Sequence, residues 1–248
     1  MNKEFEQNEI EQILESIANH LSQTTDIYLF GGAVMVYNNL KPATKDIDIL
    51  FEKEVDYSSF IKAAKLTEFV TKSVPSEYHQ FDMSMMLQHH KSGWRLDLFL
   101  KKVCNKFCFN NDVKKRSRLF KKTGNLNIHF ISFEDIFLMK SLTHRDRDLD
   151  DMGTIMGFGL NFEELTKEIE NQNEHKWDII ERIISFEEHS GTTVAIPLKL
   201  KEDFEKYSEE KNKTLLLKQI KSMMKEGKSK EEIINHFHLT EEEWEDFK

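Results

Sequence analysis

The sequence predicts an α+β chain: a mixed β-sheet flanked by helices in the first half, followed by an α-helical C-terminal region. Three observations carry this. Short apolar runs alternate with helix-period segments up to about residue 131. Beyond residue 133 the remaining periodic segments are helical. With 248 residues, 39% of them hydrophobic and 32% charged, the chain can bury one large core with a helical appendage.

Taken in order, Phe5, Ile10, Ile13, Leu14, Ile17, Ala18 and Leu21 recur at steps of three and four, an amphipathic helix over 4–21. "DIYLF" is a short buried strand that runs into Gly31-Gly32, and "AVMVYNNL" suits a short helix stopped by Pro42. "DIDILF" is the next strand and "SSFIKAAKLTEFV" the next helix, with Ser58 or Ser59 as its cap. Two strands follow, "FDMSMML" and "WRLDLFL", joined by "QHHKSG" as a hairpin, with His89 and His90 solvated in its loop. "SFEDIFLMKSLTH" opens with Ser132 three residues before Asp135, a capping-box-like helix start, and "WDIIERIISFEEH" is a further helix. "SGTTVAIPL" is a linker. The organisation expected is therefore 1–131 as an α/β catalytic domain, 132–190 as a helical region beside it, and 191–248 as a charged helical tail.

Composition narrows the function. A net charge of −9 opposes a protein that coats nucleic acid with its whole surface. A local basic stretch remains in "DVKKRSRLFKK", read either as a solvated helix face or as a phosphate-facing surface. No apolar run reaches the roughly 18 residues of a membrane span, and "MNKEFEQNEIEQ" lacks the apolar core of a secretory signal. Two cysteines, Cys104 and Cys108, make neither a disulfide framework nor a zinc site alone, and fit a reducing cytoplasm.

The chemistry concentrates in one constellation. A strand ends in Gly31-Gly32 at the mouth of a helix; Thr44 and Lys45 follow, then Asp46 and Asp48 on one face of a strand. A later strand puts Arg95, Asp97 and Phe99 on one face and Trp94, Leu96, Leu98 and Leu100 on the other. Carboxylates sharing a face repel one another unless a cation lies between them, and an all-oxygen set suits Mg²⁺. Glycines at a helix start let a phosphate approach backbone amides. Asp82 competes with Asp97 as the third acid, although "WRLDLF" has the better hydrophobic frame.

The stretch "LFGGAVMVYNNLKPATKDIDILF" resembles the signature of the DNA polymerase beta-type nucleotidyltransferase superfamily, nearest its small prokaryotic members from toxin–antitoxin and abortive-infection systems. The resemblance covers roughly residues 26 to 155. It implies a nucleotidyltransferase fold and transfer of a nucleoside monophosphate from an NTP such as ATP to an acceptor hydroxyl, with release of pyrophosphate. It implies Asp46, Asp48 and Asp97 as ligands of Mg²⁺ or Mn²⁺, with Asp97 also the general base. Gly31, Gly32, Thr44 and Lys45 would hold the triphosphate, and Lys41 stands where many relatives have Arg. "SFEDIFLMKSLTHRDRDLDDM" is a second matching stretch, in which Lys140 and Arg145 would reach the phosphates while Asp148 and Asp151 hold helix ends or ion pairs. RNA, a tRNA end in particular, is the acceptor class implied; a protein hydroxyl or a small molecule is the alternative. A different class of protein, a catalytically silent module that binds a nucleotide or a partner, is the rival reading.

The tail "GKSKEEIINHFHLTEEEWEDF" has the outline of a helix-turn-helix with two capping boxes, Ser229 to Glu232 and Thr240 to Glu243. Its second helix carries Glu241, Glu242, Glu243, Glu245 and Asp246, which cannot read DNA edges. It reads as a packing or protein-partner-binding unit.

Overall fold

The structure, a computed structural model, describes residues 6–73, 84–143 and 145–246. The chain forms two compact units, one through Ile196 and one from Pro197.

The first unit is built on a seven-stranded mixed sheet. Its strands are β1 (Thr25–Phe30), β2 (Ile47–Phe51), β3 (Phe69–Lys72), β4 (Met85–His89), β5 (Arg95–Leu100), β8 (Arg118–Thr123) and β9 (Leu126–Phe130), in the order β3-β4-β5-β2-β1-β9-β8. A separate two-stranded ribbon, β6 (Lys102–Val103) and β7 (Phe107–Cys108), follows β5. β1 runs antiparallel to β2 and parallel to β9, and β2 runs parallel to β5. One face of the central strands is apolar, with Ile27, Leu29, Ile49, Leu96 and Leu98 fully buried on it, while Asp48 and Asp97 stand on the other.

One face is covered by α1 (Gln7–Ala18) and α3 (Glu54–Leu66). Thr25 Oγ1 lies 3.4 Å from Ser59 Oγ of α3, so Thr25, Ile27 and Leu29 point to that side. Tyr28 and Phe30 therefore point to the other. α2 (Gly31–Tyr37) leaves directly from β1. After α4 (Asn111–Arg116), the helices α5 (Phe133–Ser141), α6 (Asp146–Phe158), α7 (Phe162–Asn171) and α8 (Lys176–Ser190) form a bundle centred on α5, which packs against each of the other three. Ser132 caps α5, its Oγ accepting from Asp135 N–H at 3.2 Å.

Several sequence expectations change. The third helix starts at Glu54 after Lys53, not at Ser58 or Ser59; Glu54 and Asp56 supply first-turn negative charge instead. It stops at Leu66 because Glu68 takes φ 65°, and "FV" then belongs to β3. His89 is a half-buried member of β4 bonded to Ser92, while His90 is exposed in the turn. The stretch "DVKKRSRLFKK" is no single helix face but α4 followed by β8. Most of its cations are already paired: Lys114 with Glu52, Lys115 with Asp112, Lys121 with Glu11 and Glu15, and Arg116 with Asp135 and Glu168. Asp82 lies outside the described residues.

The second unit holds α9 (Leu198–Lys225), α10 (Lys230–Phe237) and α11 (Glu241–Asp246) around a small core of Ile220, Ile233 and Trp244. Both capping boxes form: Ser229 Oγ accepts from Glu232 N–H, and Thr240 Oγ1 accepts from Glu243 N–H while the Glu243 carboxylate accepts from Thr240 N–H. Among the described residues no helix is long and apolar enough to cross a membrane.

Candidate active site

The site begins at the β1–α2 turn. Gly31 takes φ +59°, a left-handed conformation, and a Cβ there would lie 2.5 Å from Asp48 Oδ2. A Cβ on Gly32 would run into Thr44 Oγ1, which in turn donates to the Asp46 carbonyl at 3.1 Å. The glycines therefore bring helix-start backbone against the acidic strand, a contact no side chain would permit. Gly31→Ala combines the clash with the wrong hand of φ. It is expected to destabilise the protein by about 1–3 kcal/mol, checked by thermal unfolding.

Sheet register assembles the acids. Phe30 lies opposite Asp48, and Asp48 opposite Asp97, so both acids project on the face away from α3. Asp46, in the bend just before β2, joins them. Carboxylate oxygens of Asp46, Asp48 and Asp97 all lie within 4.8 Å of one another. Burial and then the Asp46 charge push the Asp48 carboxyl up to about 7. Burial, then Asp46 and Asp48, also raise Asp97 well above the usual carboxylate range. Three acids held this close disfavour their own ionisation, and a cation among them removes that penalty.

Arg95 supplies part of the balance. Its Nη2 donates to Asp97 Oδ2 at 2.8 Å and also bonds Asp46 Oδ2. The guanidinium is thus a stand-in cation between two of the acids, which shows that the cluster accepts positive charge. Asp97 Oδ1 remains buried without a hydrogen-bond partner among the described residues. An all-oxygen donor set with an orphaned buried oxygen fits a hard divalent cation such as Mg²⁺.

All nine residues expected at the site, Gly31, Gly32, Thr44, Lys45, Asp46, Asp48, Asp97, Lys140 and Arg145, line one cavity of about 350 Å³. Lys140 and Arg145 are held in place rather than loose. Lys140 Nζ pairs with Asp148 Oδ1 and Asp151 Oδ2, both at 2.7 Å, and Arg145 Nε with Asp148 Oδ2 at 2.6 Å. Lys41 also pairs with Asp151. Asp148 and Asp151 are therefore ion-pair partners. Arg95 and Arg147 also line the cavity; Arg147 belongs to the second matching stretch with Lys140 and Arg145, and for Arg95 the signal was its place two residues before Asp97 on one strand face. Cys104 lines the same cavity, but burial pushes its thiol up to about 12, which makes it a poor nucleophile.

Burial alone would raise the Asp148 carboxyl, but Lys140 and Arg145 outweigh it and hold it at about 2. A carboxyl depressed on folding stabilises above its unfolded value, about 3.9, and loses that contribution as pH falls through the folded one. Asp148→Asn is therefore expected to cost roughly 2–3 kcal/mol at pH 7, a deficit that shrinks between about pH 4 and pH 2. Urea unfolding across that range checks it.

Comparison with known proteins shows the family of the chain. No curated protein matches the chain. Among solved structures, an antigenic nucleotidyltransferase-like protein from Paracoccidioides brasiliensis is similar at 14% identity and TM-score 0.42, covering 73% of this chain and 94% of that one. JHP933 from Helicobacter pylori is similar at 12% identity and TM-score 0.38, covering 83% of this chain and 96% of that one. A family model matches residues 8–188, and by it the chain belongs to the family described as nucleotidyltransferase of unknown function (DUF6036).

Proposed function

We propose that the protein is a divalent-metal-dependent nucleotidyltransferase that moves a nucleoside monophosphate from an NTP to an acceptor hydroxyl. The observation that carries this is the convergence of Asp46, Asp48 and Asp97 within 4.8 Å beside a glycine turn that opens a helix. Asp46, Asp48 and Asp97 would hold Mg²⁺ or Mn²⁺, which when bound neutralises charge on the transferring phosphoryl group. Gly31 and Gly32 let the triphosphate approach the backbone, and Thr44 fixes the loop that carries Lys45 to the cavity wall. Lys140 and Arg145, braced by Asp148 and Asp151, present fixed positive charge, so no reorganisation is needed when phosphate arrives. Asp97, whose Oδ1 has no hydrogen-bond partner among the described residues, takes the acceptor proton. The acceptor oxygen bonds to the α-phosphorus as the bond to pyrophosphate breaks, and pyrophosphate leaves.

RNA, a tRNA end in particular, is the acceptor class we assign. Incubation with each α-labelled NTP, Mg²⁺ and total RNA or protein extract tests the reading: label should pass to the RNA fraction with wild type alone. Recovery in the protein fraction would move the acceptor, and no transfer with any nucleotide would leave a silent binding module. If the chain acts in a toxin–antitoxin or abortive-infection system, its expression arrests growth and Asp48→Ala abolishes the arrest; arrest that survives the change would sink that role.

Metal binding has its own signature. Ligands that bind only the folded state stabilise it by about 2.7 kcal/mol at one hundred times Kd. Mg²⁺ or Mn²⁺ should raise the melting temperature of the wild type and leave Asp46→Ala/Asp48→Ala unmoved, as differential scanning fluorimetry would show.

A further inference from the structure

The second unit carries a charge pattern that the transfer reaction does not explain. Within a chain of net charge −9, residues 211–230 hold seven lysines and one acidic residue, Glu226. The first half of α9 mixes signs (Lys199, Lys201, Glu202, Asp203, Glu205, Lys206), as a solvated helix face usually does. From Lys211 to Lys225 no acidic residue occurs at all.

Geometry puts four of these seven lysines on one side of α9. Leu216, Ile220 and Met223 turn the same face of α9 into the small core with Ile233 and Trp244. At about 100° per residue, Lys211, Lys218, Lys221 and Lys225 fall about 100–180° around the axis from Ile220. All four are exposed. They form a stripe about 21 Å long at 1.5 Å per residue. Lys228 and Lys230, by contrast, are paired with Glu232 and Glu241. Lys218 to Lys221 and Lys221 to Lys225 are like-charge neighbours at i,i+3 and i,i+4, an arrangement that destabilises a helix. The helix dipole favours Lys225 in the last turn, but it does not reach Lys218 or Lys211, about two and four turns from the end. A row of phosphates would remove the repulsion. Tyr207, one turn before Lys211, stands on this same side of the helix, its ring 5.7 Å from Lys211 Nζ.

We propose that the α9 lysine stripe is a docking surface for the phosphodiester backbone of an RNA strand. The choice of RNA rests on the transfer reaction proposed above, because RNA offers an acceptor hydroxyl at its end and on every ribose. Lysine heads are point charges without base-reading geometry, so docking is independent of sequence. A tail that tethers RNA raises the local concentration of acceptor for the same chain.

The test uses the full-length protein and fluorescein-labelled single-stranded RNA of mixed sequence, with anisotropy read from 50 to 300 mM KCl. Lys218→Gln/Lys221→Gln/Lys225→Gln should weaken binding at least tenfold and flatten the log Kd against log salt slope by about 2, at about 0.7 per phosphate contact. Lys218→Glu/Lys221→Glu/Lys225→Glu should weaken it further, with circular dichroism unchanged in the glutamine variant. Asp46→Ala/Asp48→Ala should bind RNA as wild type does, so a failed transferase reading and a failed docking surface give different results. Unchanged RNA affinity and slope in the glutamine variant would overturn the proposal. So would equal lysine-dependent binding to poly-glutamate or to phosphatidylserine vesicles, which would assign the stripe to an acidic protein or a membrane surface.

Discussion

Asp48→Ala is expected to lower nucleotidyl transfer by at least about 10²–10³-fold while leaving the fold intact. Asp48 sits at the centre of the acid cluster, between Phe30 on β1 and Asp97 on β5 in the sheet register. Its removal takes one of three carboxylates from the proposed cation site and also frees space against Gly31, whose backbone packs on Asp48 Oδ2. Because burial and Asp46 make the Asp48 charge unfavourable in the folded protein, losing it relieves repulsion, and the variant should melt no lower than wild type without metal. The signature is thus a split: activity lost, metal-free stability kept or raised. Rates from single-turnover label transfer and melting curves with and without Mg²⁺ check it, and a variant that loses both together would point to a structural role only.

Arg116→Ala should have the largest effect on stability, about 3–5 kcal/mol. At the end of α4, Arg116 donates to both oxygens of Asp135, at 2.6 and 3.1 Å, and to Glu168 Oε2 at 2.5 Å. Asp135 on α5 and Glu168 on α7 are fully buried. Asn110 and Gln172 also donate to Glu168 Oε1, at 2.7 and 2.5 Å, and Ser132 to Asp135. Truncating the arginine strands two carboxylates that water cannot reach. Arg116→Lys loses the fork that engages Asp135 and should recover only part of the stability. Adding Asp135→Asn and Glu168→Gln to Arg116→Ala should also recover part, since the buried charges go with their partner. Urea unfolding of the three variants measures this. A loss below about 1 kcal/mol in Arg116→Ala, the level of an exposed pair, would show that the network is solvated.

These two residues also mark what could be read from sequence and what could not. The acid strand was legible because Asp46, Asp48 and the glycine pair lie close in sequence, and strand alternation alone puts the acids on one face. Asp97 was legible because "WRLDLF" alternates cleanly. Arg95 was visible on that face, but its bonding to Asp46 depends on the parallel pairing of β2 with β5, which no local pattern encodes. Arg116 was hidden more deeply. In sequence it is one of six cations in nine positions, and only the packing of α4 against α5 and α7 makes it a buried counter-ion while Lys114 and Lys115 stay at the surface. The β8–β9 hairpin was missed for a related reason. Leu126, Ile128 and Phe130 do alternate, and Gly124 takes φ +53° in the turn, but the lysines of β8 disguised an edge strand as a helix face. Ser58 and Ser59 misled because an acidic first turn can start a helix without a side-chain cap.

The most direct test of the central claim compares ATP, GTP, CTP and UTP labelled at the α-phosphate with the same nucleotides labelled at the γ-phosphate, each with Mg²⁺ and total RNA. The predicted result is label on the acceptor from the α position only, matched by released pyrophosphate and absent with Asp46→Ala/Asp48→Ala. Transfer of γ-label instead, or α-label transfer that persists in the double variant, would contradict nucleotidyl transfer through the three aspartates.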